Sequence, residues 1–173
     1  MRRITTLAAA LLAGLAAAAT AVAADKVVGS AAPNCALTAL TEGPGYDIRQ
    51  FRGKVLYVDF WASWCTTCIV SFPFLNTLQH EYGDRGLTIL GINVDQKPQD
   101  ALKFLGRTPA HFMIAADHGG SCPRSFDVQA MPSSYLVDRQ GVVRYRHLGF
   151  RSGQADEIRT QIAALLAEPE RAQ

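Results

Sequence analysis

The 173-residue chain is poor in the residues that build metal and cofactor sites: it has four Cys, four His, three Met and two Trp. The histidines, His80, His111, His118 and His147, are scattered, and no second Cys-x-x-Cys or Cys/His pair accompanies Cys65 and Cys68. A tetrahedral zinc site needs four such ligands, so zinc is disfavoured. Without a Met or His cluster beside the cysteines, a copper-binding role on the two thiolates is the weaker alternative. No metal and no cofactor is expected. Charge of one sign is lacking too: with Arg2 and Arg3 set aside, 15 basic residues face 15 acidic ones. That balance leaves no electrostatic footprint for a nucleic-acid partner.

Long hydrophobic runs are confined to the start. The stretch "MRRITTLAAALLAGLAAAATAVAAD" has a basic beginning, an Ala/Leu-rich centre and a small-residue exit, the pattern of a cleavable secretory signal over residues 1–24. An uncleaved anchor is the alternative, because the run approaches the ~20 residues that span a bilayer. No cysteine follows it to carry a lipid, and "ITT" after Arg2-Arg3 departs from the twin-arginine pattern. The expectation is a soluble periplasmic protein, residues 25–173, exported by general secretion. That length suits one domain with one core. Its compartment permits disulfides.

After the signal there is no repeat and no low-complexity segment. "CALTAL" and "YDIRQF" read as short strands around the turn "TEGPG". "KVLYVDF" and "LTILGINV" are continuous apolar runs, the pattern of parallel strands buried on both faces. From Cys65 to Tyr82, Ile69, Phe72, Leu75 and Leu78 recur at helical spacing, with Pro73 expected to kink the helix and Gly83 to end it. Pro98 opens a second helix, "PQDALKFLG". "HFMIAAD" reads as a strand and "CPRSFDV" as a helical turn, while "SSYLVD" and "VVRYRHLGF" form a hairpin about "RQG". Ile158, Ile162, Leu165 and Leu166 mark one face of a last helix. Strands alternating with helices and followed by a hairpin indicate an α/β fold with a mixed sheet.

The stretch "VDFWASWCTTCIVSFP" carries the chemistry. A Cys at the first turn of a helix meets unpaired N–H groups and the positive end of the helix dipole, which favour its thiolate. Attack is therefore assigned to Cys65, and resolution to Cys68, nearly one turn further on. Besides zinc, a static bridge is the other reading, but so short a loop restrains little of the unfolded chain. Trp64 is a candidate apolar rim for a partner, and Trp61 a candidate core residue. Asp59 lies inside an apolar strand, where burial disfavours its charge and suits it to hold or move a proton for Cys68. The alternative is a strand-end Asp that reaches solvent.

These residues resemble the thioredoxin superfamily and, within it, the exported TlpA/ResA-like thiol–disulfide oxidoreductases. "FRGKVLYVDFWASWCTTCIVSFP" is similar to the family's strand, Trp-Cys-x-x-Cys site and helix proline. "LTILGINVDQKPQDALKFL" is similar to its inserted β-α segment, and "VQAMPSSYLVDRQGVVRYRHLG" to its cis-proline loop and terminal hairpin. The resemblance runs from about Ala32 to Leu166. It implies a thioredoxin-like fold: a central mixed sheet flanked by helices, with an N-terminal β-hairpin extension and a central β-α insertion. It also implies a cis Met131–Pro132 bond facing the cysteines, with the Met131 backbone free to pair with an extended substrate. Three positions depart from the pattern. Thr66 and Thr67 bring no charge between the cysteines, Ser71 replaces a common acid, and Asp59 stands where the exported group often has Asn.

Cys35 and Cys122 remain, and exposed to an oxidising compartment they are expected to pair; two buried free thiols are the alternative. The expected function is an exported oxidoreductase working through a mixed disulfide. In the family's manner it would reduce a protein such as an apocytochrome or an oxidase copper-site protein, and be re-reduced by a membrane thiol donor. A disulfide-forming oxidant is the opposite alternative. The active form is expected to be a monomer.

Overall fold

The computed structural model describes residues 26–40 and 42–169. The proposed signal, residues 1–24, lies outside the described residues. Seven strands form one sheet: β1 (Ala36–Ala39), β2 (Tyr46–Asp47), β3 (Val55–Trp61), β4 (Leu87–Asn93), β5 (Met113–Ala116), β6 (Ser133–Val137) and β7 (Val143–Leu148), in the order β2-β1-β5-β4-β3-β6-β7. Helix α1 (Thr66–Tyr82) links β3 to β4, and α2 (Pro98–Leu105) links β4 to β5. Those strand pairs are parallel, as helical crossovers require. α3 (Ser121–Ser125) precedes β6, and α4 (Ala155–Ala167) follows β7. The β1–β2, β1–β5, β3–β6 and β6–β7 pairs are antiparallel, so the sheet is mixed.

Every residue of β3 and β4 is buried, which is why both read as unbroken apolar runs. Side chains alternate across β3. Leu56, Val58 and Phe60 join a core with Phe126 and Tyr135 on one face; Val55, Tyr57 and Trp61 face α1, α2 and α4 on the other. Trp61, Phe72 and Phe104 meet at ring-centroid distances of 5.0–5.1 Å, a rigid aromatic floor under the start of α1.

Two expectations are corrected. Only Tyr46–Asp47 of "YDIRQF" is strand; Ile48–Phe51 is a 3-10 turn, because the Asp47 carboxylate accepts the Arg49 N–H at 2.8 Å and caps it. Ile69 is not on the buried face of α1: it is 51% exposed, while Cys68, Ser71, Phe72, Leu75 and Leu78 are buried. Helix α1 continues through Pro73 and is capped by Gly83.

Candidate active site

Cys65 is the N-cap of α1, in extended conformation, and its Sγ accepts the N–H of Cys68 at 3.1 Å. It is joined to Cys68 in a disulfide. Cys65 keeps 5% of its surface accessible and Cys68 none, so an incoming sulfur meets Cys65 first. Once the bond is reduced, the same N–H and the helix dipole face the Cys65 sulfur and favour its thiolate. Thr66 and Thr67 fill the turn with neutral side chains. Ser71 donates from Oγ to the Cys68 carbonyl at 3.3 Å, a local bond that engages the hydroxyl standing in place of an acid.

Trp64 is 66% exposed beside the cysteines, whereas Trp61 is buried in the aromatic floor. Met131–Pro132 is a cis peptide bond. Met131 packs against the cluster that contains Cys65 and Cys68 and makes no hydrogen bond to another described residue, which leaves its backbone open for strand pairing. The Pro132 carbonyl is occupied by the Gly149 N–H at 2.8 Å.

Asp59 is buried, and its Oδ2 has no hydrogen-bond partner among the described residues. By strand alternation it shares the helix-facing side of β3 with Tyr57 and Trp61. Burial pushes its carboxyl well above the usual carboxylate range. Burial, and next the charge of Asp59, also push the Tyr57 phenol up, while Tyr57 donates to Ser134 Oγ at 2.8 Å. Below about pH 3.8 both folded and unfolded chains hold the Asp59 proton, and the group takes nothing from stability. Above that, the unfolded chain releases the proton and the native one keeps it, so stability falls by at most about 1.4 kcal/mol per pH unit until the buried group ionises too. Asp59→Asn removes this slope: its stability advantage over the parent should grow from pH 4 to pH 7 in urea unfolding. A pH-independent difference would show that Asp59 is not held neutral.

A further residue escaped the sequence reading. The Asp95 carboxylate accepts from Ser63 N at 2.8 Å, Ser63 Oγ at 2.9 Å and Asn93 Nδ2 at 2.8 Å. It thereby pins the loop that delivers Cys65, whose own N–H reaches the Ala62 carbonyl at 3.1 Å. The β3–β4 register carries the signal: Trp61 faces Asn93, so two residues further along each chain Ser63 meets Asp95.

The Cys35–Cys122 disulfide is formed, with a Cα–Cα separation of 5.4 Å. Both cysteines are buried in the core on the other face of the sheet, and the Cys122 N–H donates to the Asp117 carboxylate. Cys35 and Cys122 thus belong to the frame, and Cys65 and Cys68 to the accessible site.

A thioredoxin-like sheet, an N-capping Cys-x-x-Cys disulfide and a cis-proline beside it define a redox protein of the thioredoxin superfamily. Comparison with known proteins narrows this: the chain belongs to the Redoxin family, whose model matches residues 27–162, and within the superfamily it is TlpA/ResA-like. It is 31% identical over 116 residues to the thiol-disulfide oxidoreductase ResA of Bacillus thuringiensis subsp. konkukian, covering 67% of this chain and 66% of that one. The chain thus spans just under two thirds of that relative. It is 33% identical over 125 residues to the thiol:disulfide interchange protein DsbE of Vibrio cholerae, covering 71% of this chain and 66% of that one. Among solved structures, a protein from Chlorobium tepidum assigned as a thiol:disulfide interchange protein DsbE matches with a TM-score of 0.78 and 40% identity, over 81% of this chain and 98% of that one.

Proposed function

We propose that the protein is a thiol–disulfide oxidoreductase of the bacterial periplasm that reduces disulfides in other proteins. The observation that carries this reading is the Cys65 sulfur, which caps α1, accepts the Cys68 N–H and is the accessible member of the pair. In the reduced protein the Cys65 thiolate attacks a substrate disulfide; a Cys65–substrate bond forms, and the substrate's other sulfur leaves with the electron pair and takes up a proton. Cys68 then loses its proton, attacks Cys65 Sγ and expels the second substrate thiol, which regenerates the Cys65–Cys68 disulfide seen here. Asp59 in its ionised form is the proton acceptor proposed for Cys68, because it is a buried carboxyl on the side of β3 that faces the helices and has an unused oxygen. As a second readout of Asp59→Asn, the Cys68 step should slow by roughly tenfold or more in stopped-flow at the pH where Asp59 is ionised, and the difference should shrink as pH falls and the parent carboxyl takes up its own proton. An unchanged rate would remove Asp59 from the mechanism.

Pro132 and Met131 close the site opposite the disulfide and offer backbone for an extended substrate, with Trp64 as its apolar rim. Each turnover oxidises the pair, so a reductant outside the cytosol needs a membrane thiol donor. Substrates in this reading are proteins awaiting haem or copper, met by a monomer released from its signal. Equilibration of Cys65–Cys68 against a dithiol buffer tests the direction. The expected potential lies toward thioredoxin's, about −270 mV, and a value near DsbA's, about −120 mV, would make the protein an oxidant instead. Stoichiometric Cu(I) retention without disulfide turnover would identify a copper carrier.

A further inference from the structure

The stripe of α1 that begins at Cys65 continues through Ile69, Pro73 and Asn76, residues spaced by four, four and three. Ile69 and its neighbour Val70 are 51% and 59% exposed, so the helix surface next to the reactive sulfur is apolar and open. Ile69, Pro73 and Asn76 form one wall of a groove of about 290 Å³, and Arg107, Thr108, Pro109 and His111 form the other. The second wall is held in place. Asn76 donates from Nδ2 to the Pro109 carbonyl at 2.9 Å and accepts the His111 N–H at 2.6 Å on Oδ1. The Arg107 and Thr108 N–H groups both donate to the Phe104 carbonyl at 2.9 Å. The two prolines and Ile69 make the floor apolar. No acid lines the groove, and Arg107 is exposed, with no ion pair among the described residues.

We propose that this groove is a subsite for the polypeptide flanking the substrate's reactive cysteine, and that it takes an apolar side chain with a carboxylate beside it. The proposal rests on the thiol–disulfide reading above and adds the recognition that reading lacks. Two observations choose this occupant: the groove begins at Ile69, about one helical turn from Cys65, and its free cation is complementary to an acid. Reach fits as well. Ile69 and Pro73 lie about 6 Å and about 12 Å along the helix from Cys65. An extended chain advances about 3.3 Å per residue, so the residues that reach the groove are about two to four positions from the bonded cysteine.

The test uses the reduced protein with a panel of synthetic peptides, each carrying one cysteine as a mixed disulfide with glutathione. Positions two to four from that cysteine, on either side, carry Leu-Glu, Leu-Lys or Ser-Ser. On one side of the cysteine the second-order rate for Leu-Glu should exceed that for Leu-Lys by roughly three- to tenfold at low salt, and the ratio should collapse as salt is raised. Arg107→Glu should invert the Glu/Lys ratio, and Ile69→Ser should shrink the advantage of the Leu peptides over Ser-Ser. Both positions are exposed, so neither variant endangers the fold. A Glu/Lys ratio near one in the parent, or one that Arg107→Glu leaves unchanged, overturns the subsite. If the parent oxidises readily with glutathione disulfide yet ranks no peptides, the subsite alone fails. If glutathione disulfide does not oxidise it either, the catalytic reading fails and the subsite with it.

Discussion

Cys68→Ser is expected to abolish turnover and to strand the protein on its substrates as a covalent complex through Cys65. The first exchange needs only the Cys65 thiolate, and the groups that favour it, the N–H of residue 68 and the end of α1, are backbone features that a Ser at 68 retains. The second exchange needs a sulfur at 68, and a hydroxyl cannot take its place at neutral pH. Non-reducing electrophoresis of periplasmic extracts should therefore show new high-mass bands that dithiothreitol removes. Cys65→Ser should show none, because Cys68 is fully enclosed and meets no incoming disulfide. Bands from Cys65→Ser and none from Cys68→Ser would exchange the two roles.

The chemistry was legible because it is local. Cys65 and Cys68 stand three apart, and a sequence reader who places them at a helix start obtains the N-cap arrangement from helix geometry alone. The two buried strands were equally plain, since strands covered on both faces are mostly apolar, interrupted by Asp59 in β3 and by Thr88 and Asn93 in β4. What escaped notice depends on contacts across the sheet. Ser63 and Asp95 are 32 residues apart, and only the β3–β4 register brings them together. Ile69 was misplaced for a different reason. Its spacing from Phe72 fits an apolar stripe, but the buried face of α1 is centred on Cys68, Phe72 and Leu75, and a disulfide sulfur and the Ser71 hydroxyl occupy places where a hydrophobe was expected. An apolar side chain left on the outer edge of that face is what a partner-binding helix looks like in sequence, and periodicity alone cannot separate it from core. "YDIRQF" failed because one carboxylate, Asp47, closed a turn within three residues, and a local polar bond overrode strand propensity.

The second large effect concerns stability and falls on the other disulfide. Cys35–Cys122 closes a segment with a sequence separation of 87, which holds β1 through β5 and the whole Cys-x-x-Cys helix inside one loop. In the chain-entropy model a crosslink of that span lowers the entropy of the unfolded chain enough to stabilise the fold by about 4–5 kcal/mol. Replacing both cysteines by Ala should lower the melting temperature by roughly 10–15 °C for a domain of this size. It should also raise the denaturant m-value, because the uncrosslinked chain unfolds to a more expanded state. The two disulfides should separate under mild reductant as well. Exposure alone does not separate the bonds, since Cys35 is 4% and Cys65 5% exposed; what does is that the Cys68 N–H and the end of α1 favour Cys65 as the leaving thiolate, while Cys122 is fully enclosed. Brief dithiothreitol treatment of the native protein followed by alkylation should label Cys65 and Cys68 only. Labelling of all four, or a melting temperature unmoved by the double substitution, would mean that the frame of this redox protein does not depend on its second disulfide. The expected result places the two bonds in different roles: one closes the loop that carries the site, and the other stands at the N-terminus of α1, where the helix favours Cys65 as the sulfur that leaves and attacks.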